Sequence, residues 1–334
     1  MFGAHPKELP QKLAFLLVPN FSMIAFTAAV EPLRLANRVT GQSLYSWHLF
    51  SADGKPVAAS NSIVLTPEGR VEDAAPFGTV ILCSGIDAHT YEDRNLFAQL
   101  RRFDRKGADI GALCTASHIL ARAGLLDGYR CTIHWENLAG FSESFPHIEA
   151  TSELFEIDRN RFTCSGGTAA LDMMLNLITR QHGHEVAAAV SDQFMHERIR
   201  NEHDQQRMAL PARLGVRHPK LMSVIKLMEE NLEEPLDRGR LAKSAGLSSR
   251  QLERLFRKYL NRSPARYYVE LRLNRARLLL LQTNMPVIDV ALACGFVSAS
   301  HFSKCYRDFF GKTPRKERTV PLRPPAPERR AVNA

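Results

Sequence analysis

One amphipathic pattern occurs twice in this chain. Residues 252–264 read LERLFRKYLNRSP and residues 302–314 read FSKCYRDFFGKTP. Leu252, Leu255, Phe256, Tyr259 and Leu260 match Phe302, Cys305, Tyr306, Phe309 and Phe310 at a constant offset of 50 residues. The apolar positions recur at i, i+3, i+4, i+7 and i+8, the stripe of a helix that buries one side. A strand cannot satisfy that period, so both segments are constrained to be helices with a single apolar face. The opposite face of each copy is basic and polar.

The repetition extends upstream. Leu241, Ala242, Gly246 and Leu247 match Val290, Ala291, Gly295 and Phe296 at an offset of 49, so one extra residue falls in the second turn. Each unit reads as a short helix, a glycine turn and a longer helix. Gly246 and Gly295 supply the positive backbone angle that such a turn needs. Ser248, Ser249 and Ser298 stand where a helix N-cap is expected. Between the units, Pro264 and Pro286 bracket a stretch without an internal breaker, which predicts one helix of about five to six turns. A rigid spacer of that kind could hold two groove-reading helices near one DNA repeat apart, about 34 Å.

Charge points the same way. Residues 216–334 carry 24 Lys and Arg against 11 Asp and Glu, net +13, while the preceding residues carry 20 against 24. A basic third behind a mildly acidic remainder implies that only the C-terminal part meets a polyanion. No apolar run approaches the roughly 18 residues of a membrane helix, and the N-terminus does not read as a secretory signal. A cytoplasmic protein with no membrane association is therefore expected. The six cysteines show no CxxC spacing and read as free thiols, so no metal site and no cofactor is expected.

With its two units, linker helix and closing FFGKTP, the stretch 218–319 resembles the AraC/XylS DNA-binding domain. The resemblance implies base contacts from Arg250, Glu253 and Arg254 in the first recognition helix, with Arg257 also expected among the DNA-binding residues. In the second it implies Ala299, Ser300 and Lys304. Arg250 and Arg254 are one turn apart and suit guanine, whereas Ala299 and Ser300 are short. The first unit is thus expected to discriminate and the second to anchor. Arg262, Arg266, Lys312, Arg315 and Lys316 are expected at phosphates.

The first two hundred residues read differently. LAFLLVP, WHLFSA, TVILCSG and ADIGALC are short apolar runs, and helical patterns at 23–39 and 93–105 alternate with them. That alternation predicts a parallel sheet covered on both faces. Cys114 ends one run and a helix begins at once, which places the thiol near helix N-terminal amides expected to lower its pKa. His134, Trp135 and Glu136 follow twenty residues on. A Cys and a His on neighbouring strand ends is the layout of a nucleophile and its base.

Residues 12–181 resemble the PfpI/ThiJ branch of the class I glutamine amidotransferase-like superfamily. The resemblance implies a flavodoxin-like α/β fold, with Cys114 on the elbow, His134 at the family histidine and Glu31 near an acidic position that approaches the elbow. Thr115 stands where the proteolytic branch carries histidine, which argues against protease chemistry. The two halves together resemble the GlxA group of bacterial transcription regulators, and within it regulators of arginine, glycine betaine and carnitine catabolism. That resemblance implies a sensor, with Glu31, Ser84, Gly85, Cys114, Thr115, His134 and Trp135 around a small nitrogenous effector. A zwitterion would place its carboxylate at the elbow amides and its cationic end against Trp135 and an acid, Glu31 or Glu136.

The expected plan is an α/β sensor domain at 10–206, a linker at 207–217, an all-α DNA-binding domain at 218–319 and a disordered tail at 320–334. The expected function is a sequence-specific transcription regulator, an activator, that meets double-stranded promoter DNA, a small-molecule effector and RNA polymerase, as a homodimer. The competing expectation is a cysteine-dependent hydrolase or amidase using Cys114 and His134, tethered to DNA.

Overall fold

The computed structural model describes residues 3–6 and 8–318. The tail expected at 320–334 lies outside the described residues. The chain divides into two compact units between Gln206 and Arg207.

The first unit runs, in chain order, β1 Gln11–Leu17, α1 Met23–Thr40, β2 Tyr45–Ser51, β3 Val57–Ala58, β4 Val64–Leu65, β5 Gly69–Arg70, β6 Thr79–Cys83, α2 Arg94–Arg105 and β7 Asp109–Leu113. It continues with α3 Ser117–Arg122, β8 Arg130–Thr132, α4 Trp135–Ser144, β9 Glu149–Thr151, β10 Phe155–Asp158, β11 Arg161–Cys164, α5 Ala169–His182 and α6 His184–Gln193. The central sheet has the order β10-β11-β7-β6-β1-β2-β5. Strand β1 shows why both faces are covered. Leu13, Phe15 and Leu17 pack into the layer formed with α1, α5 and α6. Ala14, Leu16 and Val18 pack into the opposite layer with Leu100 of α2 and Ile119 of α3. A strand segment buried on both sides must be apolar at every position, and β1 is from Leu13 to Leu17.

The sheet departs from the all-parallel expectation at one edge. β10 pairs antiparallel with β11, Asp158 opposite Arg161, across a turn in which Arg159 takes a positive φ of 55°. A two-residue turn can only return the chain alongside itself, so this pair must be antiparallel. In the interior, Gly111 of β7 lies in register with Phe162 of β11. A Cβ at Gly111 would sit 2.1 Å from the Phe162 ring, so the glycine is what lets that ring lie across the strand.

The second unit is helical: α7 Leu210–Leu214, α8 Pro219–Glu230, α9 Arg238–Ser244, α10 Ser249–Leu260, α11 Pro264–Gln282, α12 Val287–Ala293, α13 Ala299–Phe310 and α14 Pro314–Glu317. The segment expected as a plain linker at 207–217 contains α7, and its Leu210, Leu214 and Val216 pack with Leu221 and Ile225 of α8. Pro211 sits in the first turn of α7, where its missing N–H leaves no bond unmade, and Gly215 closes the helix at φ 64°. The 19 residues of α11 rise about 28 Å as one helix. No helix among the described residues is long and apolar enough to cross a membrane.

Candidate functional site

The sequence repeat becomes a repeat of environment. Along α10 and α13 the order of buried, half-buried and exposed positions is identical from 251 to 260 and from 301 to 310. Leu252 and Phe256 are the fully buried pair in one copy, Phe302 and Tyr306 in the other. Each helix starts on a serine. The Ser248 hydroxyl accepts from Gln251 N at 3.2 Å, and the Ser248 N–H donates to Gln251 Oε1 at 2.8 Å. The Ser298 hydroxyl accepts from His301 N at 3.3 Å. These caps fix the first turn of each helix, the part that reaches base edges in a helix-turn-helix.

The exposed faces differ. Arg250 and Arg254 are exposed on α10 and enter no ion pair among the described residues. Glu253 bonds along the helix to Arg257 at 3.5 Å, so these two partly neutralise each other. On α13, Ser300 and Lys304 are exposed and Ala299 is half-buried. Arg315 and Lys316 are exposed at the first turn of α14. Arg262 and Arg266 both pair with the nearly buried Glu270, at 3.1 and 3.3 Å. Lys312, expected at a phosphate, is instead fastened to the buried Glu317 at 3.0 Å, together with Arg277 at 3.0 Å. A buried carboxylate needs such partners, and these cations hold Glu317 below the usual carboxylate range although burial opposes them.

Arg272 of α11 carries a role that no motif announces. Its guanidinium donates to the Cys294 and Gly295 carbonyls at 2.7 Å each and lies 4.0 Å from the Phe296 ring centre. The linker helix thereby clamps the turn of the second unit. The available signal was a cation set between Leu271 and Leu273.

In the first unit, the structure gathers Ser84, Gly85, Cys114 and Thr115 at the carboxyl ends of β6 and β7. Cys114 has a φ of 62°, a conformation non-glycine residues seldom adopt, on the turn from β7 to α3. Its N–H donates to the Cys164 carbonyl at 3.0 Å. A Cβ on Gly166 would lie 2.9 Å from the Cys114 sulfur, so only glycine admits the elbow there. The Thr115 hydroxyl donates to the Gly85 carbonyl at 2.5 Å. Gly85 is pressed against Asn20, whose carbonyl would stand 2.3 Å from an added Cβ. Ser84 is 1% exposed and its hydroxyl has no hydrogen-bond partner among the described residues.

Burial pushes the Cys114 thiol up to about 12, with the neighbouring Cys164 adding to it and hydrogen bonds from Thr115 opposing it. The amides expected to lower this pKa are present, and desolvation outweighs them. His134 caps α4, its Nδ1 accepting from Glu136 N at 3.4 Å. Burial holds its imidazole below the ordinary value of 6.5, against Glu136. No hydrogen bond joins Cys114 to His134. The proton therefore stays on sulfur near neutral pH, and the nucleophile-and-base pair that the residue types suggested is not formed. Cys114 should resist iodoacetamide near neutral pH in the native protein, and all six cysteines should react once it is unfolded. Rapid labelling of native Cys114, read by peptide mass, would show a thiolate and restore the catalytic reading.

Trp135 is half-buried with its ring 5.6 Å from that of His134. Glu31 is a correction. It lies nine residues past the Ser22 cap of α1, about 13 Å along the helix from the end that meets Ser84. Its carboxylate is 41% exposed and pairs with Arg34 at 2.7 Å.

Residues 196–206 close this unit by running back over it. Asp172 of α5 is 0% exposed and accepts from the backbone N (2.7 Å), Nε (2.9 Å) and Nη2 (2.6 Å) of Arg200. His196 Nε2 adds a contact at 2.9 Å. Farther along, Gln206 donates to the Ile133 and Glu153 carbonyls at 3.1 and 2.9 Å. This strap therefore touches the residue before His134 on one side and the first turn of α5, just beyond Gly166, on the other. Among the described residues, no group of three His, Cys, Asp or Glu side chains could hold a metal ion.

Two family descriptions match these two units: the DJ-1/PfpI family over residues 11–180 and a helix-turn-helix domain over residues 241–319. The HTH-type transcriptional regulator GbdR of Pseudomonas aeruginosa is 53% identical over 309 residues, spanning 92% of this chain and 84% of that protein. The chain belongs to this family of HTH-type transcriptional regulators. A second member, the regulator CdhR of Pseudomonas aeruginosa, is 46% identical over 95% of both chains. A crystal structure of an AraC family transcriptional regulator from Pseudomonas putida matches 55% of the regulator and all of that chain, at 28% identity and a TM-score of 0.51. The placement is with regulators, and the recognition helices α10 and α13 belong to a DNA-binding domain of the AraC type.

Proposed function

We propose that the regulator is an effector-controlled transcription activator whose elbow has become a receptor for a small nitrogenous metabolite. The observation that carries this is the pairing of a preserved, strained elbow with an inert thiol. Cys114 keeps its positive φ and Gly166 keeps its close approach, yet sulfur and imidazole are not arranged for chemistry. Backbone strain of this kind persists where the surroundings hold it for a purpose. The buried hydroxyl of Ser84 has no hydrogen-bond partner among the described residues, so a ligand that opened the elbow to reach it would find an unused donor and acceptor. A zwitterion with its carboxylate near Ser84 and Thr115 and its cationic end toward Trp135 and Glu136 fits the chemistry of these groups. Glu31 is not part of this reading.

At promoters, α10 supplies base discrimination through Arg250 and Arg254, and α13 anchors through Lys304. Arg315, Lys316 and Arg266 serve phosphates. Two protomers pair on the site and engage RNA polymerase, in the cytoplasm where the chromosome lies. A thermal-shift screen of the full chain against amino acids, betaines, carnitine and polyamines tests the receptor. A true effector at a hundredfold excess over its Kd stabilises the folded protein by about 2.7 kcal/mol. Ser84→Ala should leave the melting temperature of the free protein unchanged, since that hydroxyl bonds nothing, and should reduce the effector's shift. If every stabilising compound acts equally on Ser84→Ala, the elbow is not the receptor.

A further inference from the structure

The two units differ by one residue, and that residue is the most exposed of the large apolar side chains described. From glycine to cap the first turn runs Gly246, Leu247, Ser248, and the second runs Gly295, Phe296, Val297, Ser298. Both glycines have positive φ, 61° and 71°, and both serines cap a recognition helix. Leu247 packs against the core, and Phe296 is 2% exposed with its ring 5.2 Å from Phe302. Val297 has no counterpart in the first turn and is 97% exposed. The described residues leave its side chain almost wholly in solvent. Isolated surface valines are ordinary, but this one stands directly before the cap of the helix that enters the groove.

We propose that Val297 reads the 5-methyl group of a thymine at the end of the site covered by α13. An isopropyl group has no donor or acceptor, so it cannot hold a phosphate or the polar edge of a base. The thymine methyl is the one apolar feature on the major-groove edges of the bases. Val297 would supply discrimination where its neighbours Ala299 and Ser300 are too short to reach far. This rests on the placement of α13 in the groove.

The test is binding of the full-length protein and Val297→Ser to operator duplexes in which each thymine is replaced in turn by uracil, which removes only the methyl. Lys304→Ala is run beside them. For the wild-type protein, uracil at one position should weaken binding about fourfold, what burying one methyl is worth. Val297→Ser should bind the thymine operator with the same loss and be indifferent to uracil there. Exposure at this position makes misfolding of the variant no concern. If no uracil matters to the wild-type protein, or if Val297→Ser keeps the sensitivity, the proposal fails. Normal DNA binding by Val297→Ser with loss of transcription in vitro would assign the valine to a protein partner and also overturn it. Should Lys304→Ala leave binding untouched as well, the error lies in the placement of α13 and not in Val297 alone.

Discussion

Asp172→Ala should lower the unfolding free energy of the α/β unit by about 3 kcal/mol, the lower end of what breaking a buried ion pair costs. The residue is fully buried and receives three bonds from Arg200 and one from His196. Its removal leaves the Arg200 backbone N–H and guanidinium facing an apolar methyl. Arg200 is a quarter exposed and can turn part of its charge to water, which is why the lower end applies. Asp172→Asn keeps the shape and one acceptor and should cost less. Urea unfolding followed by near-ultraviolet circular dichroism reports the loss, through a lower midpoint at unchanged slope. Unchanged unfolding of the alanine variant would mean that residues 196–206 are held by other contacts. The variant also has a regulatory reading, because the strap touches the elbow's surroundings and its last residue directly precedes the helical unit in the chain. An effector response weakened more than stability explains would mark the strap as part of the signal's route.

Arg254→Ala should weaken binding to the best operator about 10- to 100-fold at fixed salt and erase preference at one base pair, the scale of one arginine-guanine contact. Arg254 is exposed, one turn after Arg250, and enters no ion pair among the described residues that would have to be broken first. Lys304→Ala should behave differently. Its loss should be similar on every sequence and should reduce the slope of log affinity against log salt by about one, the mark of a phosphate contact. Titrations of both variants against operators with single base changes, at several salt concentrations, separate the roles. An even loss for Arg254→Ala and a base-specific loss for Lys304→Ala would reverse the assignment of discriminating and anchoring helices.

What could be read from the sequence follows from where the physics is periodic. The α10 and α13 stripes and the continuous apolar run of β1 each have one packing solution, and residue order alone states it. The β10–β11 hairpin was not legible because four-residue strands carry too little period, and Arg159, with its positive φ, is not a typical turn residue. Helix α7 was hidden because Pro211 reads as a breaker, yet in a first turn proline costs nothing. At the site, position could be read but electrostatics could not. Cys114 does sit on an elbow beside helix amides, but its pKa is set by burial, which depends on residues as distant as Cys164. Glu31 failed for a length reason: an acid within the first helix is not thereby at the end of it. Lys312 looked free because its partner, Glu317, is buried only once α14 has folded back.

The matched burial of α10 and α13 alongside their unlike outer faces gives any DNA site of this regulator a direction. Two equal readers would ask the same sequence of both groove segments. Here α10 presents two arginines that enter no ion pair among the described residues, and α13 with its preceding turn presents a serine, a lysine and an exposed valine. On the proposed placement of both helices in the groove, even one protomer would distinguish upstream from downstream, and the orientation of the promoter would be written into a single chain.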